Sequence, residues 1–497
     1  MTATLVPPPV RHAGRLAMVA LARAEARLLL RSPLLWGGMV LSLALCTAWG
    51  WTTMQTWETF AQDAGMSSIV LAGALLLAGH LAASRDRRAR AESLETVPTT
   101  AARRGVGLLA LVLVAGAAGA SVCLAGLLLM LPAWPVGQFD PWVLLVTVVV
   151  PATGAALGIV VGRWLPAMAA GPLTMIAVAI VLASLPVLST GADSVVWHLF
   201  PVPSAPWETG AERPTGWHLV YLLAVLAAVV ASLWLKHRRL IAVSVILAAT
   251  VTSGIATNQQ VRATPAVIDA ATDDALTGPA VLACEVYGGV RYCALPHYAG
   301  WIPLWQEAVE PVVRNLPAAA QRPTVRQLGS SDDGRPLVPG APEIVTSTRW
   351  GRHGRWAEDS RTRMTVAYTT AATGLFRRGP GAFNYEASRC SGAGQHRTVV
   401  ALWLLAQALP DGAQRLADGG LTLGRVRHDP ADAQAATALL TRPHDEVAAF
   451  LSAHWTQIMD PAGTALTPLG VTTKPPTIPT ADEPAASGTS GQPRICR

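Results

Sequence analysis

The residues of this 497-residue chain whose types and spacing could carry chemistry are its cysteines, histidines and two lysines. Two cysteines bracket the segment CEVYGGVRYC, residues 284–293. If Gly288-Gly289 makes a two-residue hairpin turn, Tyr287 faces Val290, Val286 faces Arg291, Glu285 faces Tyr292, and Cys284 faces Cys293. The cysteines then form a non-hydrogen-bonded pair with Cα atoms about 4.5 Å apart, at the short end of what a disulfide tolerates. The expectation is a Cys284–Cys293 disulfide, and with it an oxidising compartment. The alternatives are two free thiols or a metal pair, for which His297 is the nearby third ligand. Whether Cys390 and Cys496 pair stays open, because Cys496 lies in a Pro/Thr/Ser/Gly-rich stretch. Cys46 and Cys123 fall in apolar runs and read as inert packing residues.

Several chemistries have no residues to perform them. The histidines make no HExxH motif, so a zincin-type peptidase is not supported. No G-x-S-x-G nucleophile elbow occurs. RRGPG at 377–381 precedes no phosphate-binding helix and reads as a turn. A Walker A loop needs a lysine after its glycines, and only Lys236 (LWLKHRR) and Lys474 (VTTKPP) exist, neither in that context. The chain is therefore not expected to be an enzyme or to need a cofactor. Asp332, Asp333, Glu358 and Asp359 read as ordinary polar positions, and Trp301, Trp305 and Trp403 as core.

The elements that position these residues follow from composition. The chain is 51% hydrophobic and 14% charged, well below the roughly 25% charge of soluble domains. Residues 1–261 hold 16 Lys+Arg and 10 Asp+Glu, whereas 262–497 hold 22 and 21. The net charge of +7 thus sits almost wholly beside apolar runs, as lipid-orienting charge does, and nucleic acid is not an expected partner. Arg outnumbers Lys by 36 to 2, the usage of a GC-rich bacterial genome.

A helix needs about 20 apolar residues to cross a bilayer. Such runs occur at about 33–53, 66–84, 105–131, 142–162, 165–188, 217–235 and 240–257, the last being the weakest because of Thr250, Thr252 and Ser253. Connections on one side carry 15 basic residues, and the alternate loops carry only Arg213. The rich side is expected in the cytoplasm. Trp36, Trp49, Trp51, Trp134, Trp142, Trp164, Trp217 and Trp234 fall near span ends, where indole rings prefer to sit. The spans hold almost nothing ionisable, which argues against an ion-coupled carrier, and His80 reads as a packed residue. Pro151, Pro166 and Pro172 permit kinks. Residues 1–32 include an amphipathic segment, 12–31, with Arg15, Arg23, Arg27 and Arg31 near one face and Leu16, Met18, Val19 and Leu28 among its apolar positions. It is expected to lie in the headgroup region of the lipid bilayer.

The expected layout is an α-helical membrane bundle of six to seven transmembrane helices, residues 33–257, followed by a small α+β extracytoplasmic domain, 262–471, and a disordered tail, 472–497. Within the domain, helix candidates are 301–316, 396–408, 431–440 and 444–458. Strand candidates are 282–293, 323–328, 343–349 and 363–369.

The cytoplasmic connection 85–104 reads RDRRARAESLETVPTTAARR. A basic run leads to Glu92-Ser-Leu-Glu95, then Val97-Pro98, then Arg103-Arg104. With the N-terminal amphipathic helix and the span layout, residues 12–257 resemble ABC-2 type (exporter-like) ABC transporter permease subunits. The resemblance implies a separate ABC ATPase subunit as partner, a second permease copy or paralogue, and an ATPase-coupling loop that includes Arg88, Glu92, Leu94 and Pro98. The family core ends inside after six spans, whereas here a seventh appends a domain. Two other readings use the same layout: a membrane-anchored sensor or interaction protein with an extracytoplasmic ligand-binding domain, and a membrane-tethered hydrolase of unrecognised type.

Overall fold

The computed structural model describes residues 10–88, 98–131, 133–188, 195–202, 214–236, 238–270, 282–328, 337–338, 341–375, 390–473 and 494–496. The chain divides between Asp269 and Ala270 into two compact units.

Among the described residues, the first unit is helical apart from an isolated bridge between Thr56 and Val136. Helix α1 (Val10–Leu30) precedes α2 (Pro33–Gly50), α3 (Trp57–Arg88), α4 (Pro98–Leu129), α5 (Pro141–Trp164), α6 (Ala170–Leu188), the short α7 (Val195–Leu199), α8 (Thr215–Ser232) and α9 (Arg239–Ala270). Local signals start several of them. Ser32 caps α2 by accepting the Leu34 N–H, Asp140 caps α5 by accepting the Trp142 N–H, and a proline follows each cap. Among the described residues, six helices are long and apolar enough to cross a membrane: Pro33–Gly50, Trp57–Arg85, Arg104–Leu129, Pro141–Trp164, Thr215–Ser232 and Arg239–Arg262. The chain is a multi-pass membrane protein.

The weak span is not the one expected. The run 240–257 lies in a 32-residue helix, where the Thr250 hydroxyl donates to the Ile246 carbonyl and so carries its polarity inside the helix. The run 165–188 is the one that shortens. The chain leaves α5 at Leu165, passes through Pro166, and resumes helix only at Ala170. The 19 residues of α6 rise about 28 Å, close to the hydrocarbon thickness. Helix α3 also begins nine residues before the expected start of its span, because Thr56 and Thr59 exchange hydrogen bonds at its N-terminus. Glu58 and Asp63 therefore fall within the helix, which corrects the expectation of nearly uncharged spans.

Backbones approach closely between α3 and α5. Gly154, Gly158 and Gly162 lie at four-residue spacing on one face of α5, against Ala72, Leu76 and His80 at the same spacing on α3. A Cβ at Gly162 would stand 2.6 Å from the His80 carbonyl oxygen, and those at Gly154 and Gly158 would meet the Ala72 and Leu76 carbonyl oxygens more closely still. Gly79 reciprocates, since its Cβ would lie 2.6 Å from the Ala155 carbonyl oxygen. Packing of small residues is what holds helices together where lipid removes the hydrophobic drive. Nearer the start of α5, Pro151 leaves the Thr147 carbonyl without its helical donor, and Gly119 of α4 packs onto that carbonyl.

The second unit holds two small sheets among helices. Strands β1 (Ala283–Tyr287), β2 (Val290–Ala294), β3 (Thr324–Gln327) and β4 (Glu343–Thr346) form one sheet in sequence order. The β1–β2 hairpin has the expected register, with Cys284 opposite Cys293, because Gly288 and Gly289 take φ of 58° and 78°. The two cysteines are disulfide-bonded, with Cα atoms 4.1 Å apart. Helix α10 (Ile302–Asn315) makes the crossover that lets β3 lie parallel to β2.

The strand expected at 363–369 is instead part of α11 (Gly354–Ala372). Its threonines suggested a strand, but the hydroxyls of Thr365, Thr369 and Thr373 donate to the carbonyls of Arg361, Thr365 and Thr369, four residues back. Burial of Met364, Thr365, Tyr368, Ala371 and Ala372 follows the helical period. The remaining elements are β5 (Cys390–Ser391), α12 (His396–Ala408), α13 (Gly412–Ala417), β6 (Val426–Arg427), α14 (Pro430–Leu440), α15 (His444–Ile458) and β7 (Arg494–Ile495). Helix α12 is the centre of this unit, buried from His396 through Ala406. Strand β7 lies in the stretch expected as tail, and pairs in parallel with β5 in a sheet of order β6-β5-β7. Trp301, Trp305 and Trp403 are core, as expected.

Candidate functional site

The arginine-rich end of the membrane unit carries the candidate site. Helix α1 turns Leu21, Glu25 and Leu29 inward at four-residue spacing, and leaves Arg23, Arg27 and Leu28 exposed. Leu21 packs on Gly107 of α4, where a Cβ would come within 2.8 Å of its Cγ. Leu29 joins the buried cluster of Leu35, Leu71, Leu75, Leu108 and Leu111 from α2, α3 and α4.

Between these two leucines, the Glu25 carboxylate is buried. Its Oε1 accepts a short hydrogen bond from Arg104 Nη1, and Arg85 Nη1 lies 3.6 Å from the same oxygen. Arg85 is in the last turn of α3 and Arg104 in the second turn of α4. One carboxylate therefore ties α1 to both helices that flank residues 89–97. A charge taken from water persists there because two guanidiniums meet it. Neighbouring basic groups are placed as well. Arg163, at the end of α5, lies against Gly105, and Lys236 Nζ sits 4.4 Å over the Trp164 ring.

The expected coupling residues fall at the edge of this arrangement. Arg88 closes α3 and Pro98 opens α4, while Glu92 and Leu94 lie outside the described residues. Sequence reasoning missed Glu25, Arg85 and Arg104 as a set. A signal was present: Glu25 is the sole acidic residue among residues 1–57, and it sits four residues from a leucine on either side.

The second unit offers a Gly-rich turn, Gly392-Ala393-Gly394, between β5 and α12. Its amide is already used. The Gly394 N–H donates to both Asp432 oxygens at 3.0 and 3.2 Å, and the Asp429 N–H donates to Oδ2 at 2.9 Å. The anion at this turn is thus the chain's own carboxylate, whose pKa burial raises. Glu358 and Asp359 are exposed on α11, and Asp332, Asp333 and 377–381 lie outside the described residues. Among the described residues, no three His, Cys, Asp or Glu converge on a metal position.

His396 is a titration point of this unit. Its Nδ1 accepts the Leu466 N–H at 2.9 Å, and burial lowers its pKa below the ordinary 6.5. Below pH 6.5 the unfolded chain gains a proton that the folded one resists. The stability contribution is therefore full above 6.5 and is lost as pH falls towards the lower folded value. Asp432 works oppositely, since a raised carboxyl loses stability as pH rises above 3.8. The difference between wild type and His396→Asn isolates the histidine. Wild-type protection factors at residues 396–406, the intrinsic exchange rate divided by the observed rate at each pH, should fall between pH 7 and 5, and those of the variant should change less.

No protein-family model matches the chain, and neither a curated protein nor a solved structure matches it.

Proposed function

We propose that the chain is the membrane-spanning permease subunit of an ABC transporter, an exporter driven by a separate ATPase subunit. The observation that supports this most is the Glu25 link from α1 to Arg85 and Arg104. A permease that hydrolyses no ATP must receive work through a stiff contact surface. Helix α1 and the ends of α3 and α4 make such a surface, and the loop between them carries the coupling pattern of Arg88, Glu92, Leu94 and Pro98. In this reading a second permease copy or paralogue completes the transporter.

The arginine-rich end faces the cytoplasm, as the distribution of basic residues favours. Taking α6 as a seventh crossing puts the second unit on the opposite side. Its two disulfides, Cys284–Cys293 and Cys390–Cys496, suit an oxidising compartment. An impermeant thiol reagent on intact cells should label Arg363→Cys, on the exposed face of α11. Labelling only after permeabilisation would reverse the orientation.

Purification from native membranes tests the function. An ATPase polypeptide should co-purify, and Glu92→Ala or Pro98→Ala should lower the complex's ATPase activity several-fold while the chain remains folded. Recovery of the chain with no nucleotide-hydrolysing partner would overturn the reading.

A further inference from the structure

Strand β1 is the edge of the sheet β1-β2-β3-β4, and among the described residues it pairs only with β2. Its residues from Cys284 to Tyr287 are exposed. The Cys284–Cys293 bridge therefore runs from a strand open to solvent to a strand inside the sheet, where Cys293 is fully buried. The two sulfurs differ in what lies beyond them. Beyond Cys284, away from its partner, is the open edge. Beyond Cys293 is β3, which lies parallel to β2 and sets Arg326 in register with Cys293. Register partners project from one face of a sheet, so Cys293 and Arg326 are neighbours across the β2–β3 pair. Arg326 is itself buried and pairs with Glu343, whose Oε2 lies 3.9 Å from its Nη1. Arg291, exposed and two residues before Cys293, projects from the same face.

In thiol–disulfide exchange a thiolate attacks one sulfur, and the other leaves with the bonding electron pair. Here an attacker has access to one sulfur. Cys284 meets solvent, and the exposed Arg291 draws an anion toward it. The leaving sulfur is then Cys293, and a buried thiolate is costly unless a cation stands beside it. Arg326 supplies that cation, always charged and with five N–H donors in a planar fork. Glu343 compensates it while the bridge is closed. The Cys390–Cys496 bridge has no such open sulfur, since Cys496 is buried and Cys390 half-buried.

We propose that Cys284–Cys293 is a thiol–disulfide exchange site for a dithiol reductant, attacked at Cys284 from beyond the β1 edge and opened by departure of Cys293 as a thiolate beside Arg326. The first thiolate of the dithiol bonds to Cys284, the Cys284–Cys293 bond breaks, and its electron pair stays on Cys293. The second sulfur of the dithiol loses its proton, attacks the first, and displaces Cys284 as a thiolate. Both cysteines then take up protons. The dithiol leaves as its intramolecular disulfide, having given two electrons and two protons to the bridge. This does not depend on the transport reading.

The test uses the full wild-type chain in detergent and two reductants, dithiothreitol and glutathione. Products are trapped by N-ethylmaleimide added with denaturant and located by peptide mass spectrometry. Dithiothreitol should open Cys284–Cys293 at least ten-fold faster than Cys390–Cys496. Glutathione, which cannot close a ring, should be found on Cys284 with maleimide on Cys293, at least ten-fold in excess of the reverse product. Equal opening of the two bridges, or glutathione on Cys293 as often as on Cys284, would overturn the proposal. Arg326→Gln should slow the opening at least five-fold, and Arg326→Lys should restore most of the rate. A folded Arg326→Gln chain that opened like wild type would remove Arg326 from the exchange. Because Arg326 is buried, the wild-type products and an exposed substitution decide the matter if that variant fails to fold. Arg291→Glu should slow attack by glutathione at least three-fold, and added salt should shrink the difference. An unchanged rate in Arg291→Glu would count against attack at the β1 edge.

Discussion

Gly158→Leu should leave the membrane unit unable to assemble. The Gly158 Cα lies against the α3 backbone, where even a Cβ would meet the Leu76 carbonyl oxygen and backbone carbons. A flexible side chain could give way, but a helix backbone cannot move without carrying its neighbours. Gly154 and Gly162 fix α5 against Ala72 and His80 in the same way, so the two helices would have to separate along about two turns. Overpacking a core costs about 1–3 kcal/mol, and contacts onto backbone reach the upper end of that range or beyond. Gly158→Ala should therefore already lower the melting temperature of the detergent-solubilised chain, and Gly158→Leu should abolish its monodisperse peak in size-exclusion chromatography. Gly37→Ala on α2 is the control, since a Cβ there meets nothing within 4 Å. A Gly158→Leu chain that purified and melted like wild type would refute this packing.

Glu25→Ala should free α1 from the bundle and, in the transporter proposed above, uncouple ATP hydrolysis from transport. The substitution removes the carboxylate that Arg85 and Arg104 share. Breaking a buried pair costs about 3–5 kcal/mol, and the half-exposed Arg85 reduces this to roughly 2–3 kcal/mol. Hydrogen exchange of α1 should accelerate at least ten-fold, with α5 unchanged. Arg27→Gln, on the exposed face of the same helix, should change stability by less than about 0.5 kcal/mol. A cycle combining Glu25→Gln with Arg104→Gln should return a coupling of about 0.5–3 kcal/mol. Additive effects would show that the two side chains do not depend on each other. In the reconstituted complex, Glu25→Ala should retain basal ATPase activity and lose substrate stimulation. Unchanged stimulation would detach α1 from coupling while leaving its ion pair intact.

The glycine spacing behind the first prediction was legible in residues 154–162, GAALGIVVG, but its partner was not. Four-residue repeats of glycine mark a face for close approach. Which helix approaches depends on where every other helix lies. Glu25 was legible in the same limited sense, as one acid in a basic amphipathic helix. Its partners lie 60 and 79 residues away, and only the packing of α1 along α4 brings them to it.

Local and additive properties were readable from the chain alone. The apolar runs announced a membrane unit, because crossing a bilayer depends on composition over about 20 residues. The Cys284–Cys293 bridge was readable because a two-residue Gly-Gly turn dictates register without outside help. Three decisions belonged to the tertiary structure. Residues 363–369 became helix because back-bonding threonines and a buried helical face outweighed strand propensity. The run 165–188 lost its first residues because the chain leaves α5 at Leu165 and cannot resume helix until past Pro166. Cys496 found Cys390 because β5 pairs with β7 and the buried Arg397 and Gln395 side chains donate to the Cys496 carbonyl. In the last case the deciding groups are distant in sequence, and no local pattern encodes them.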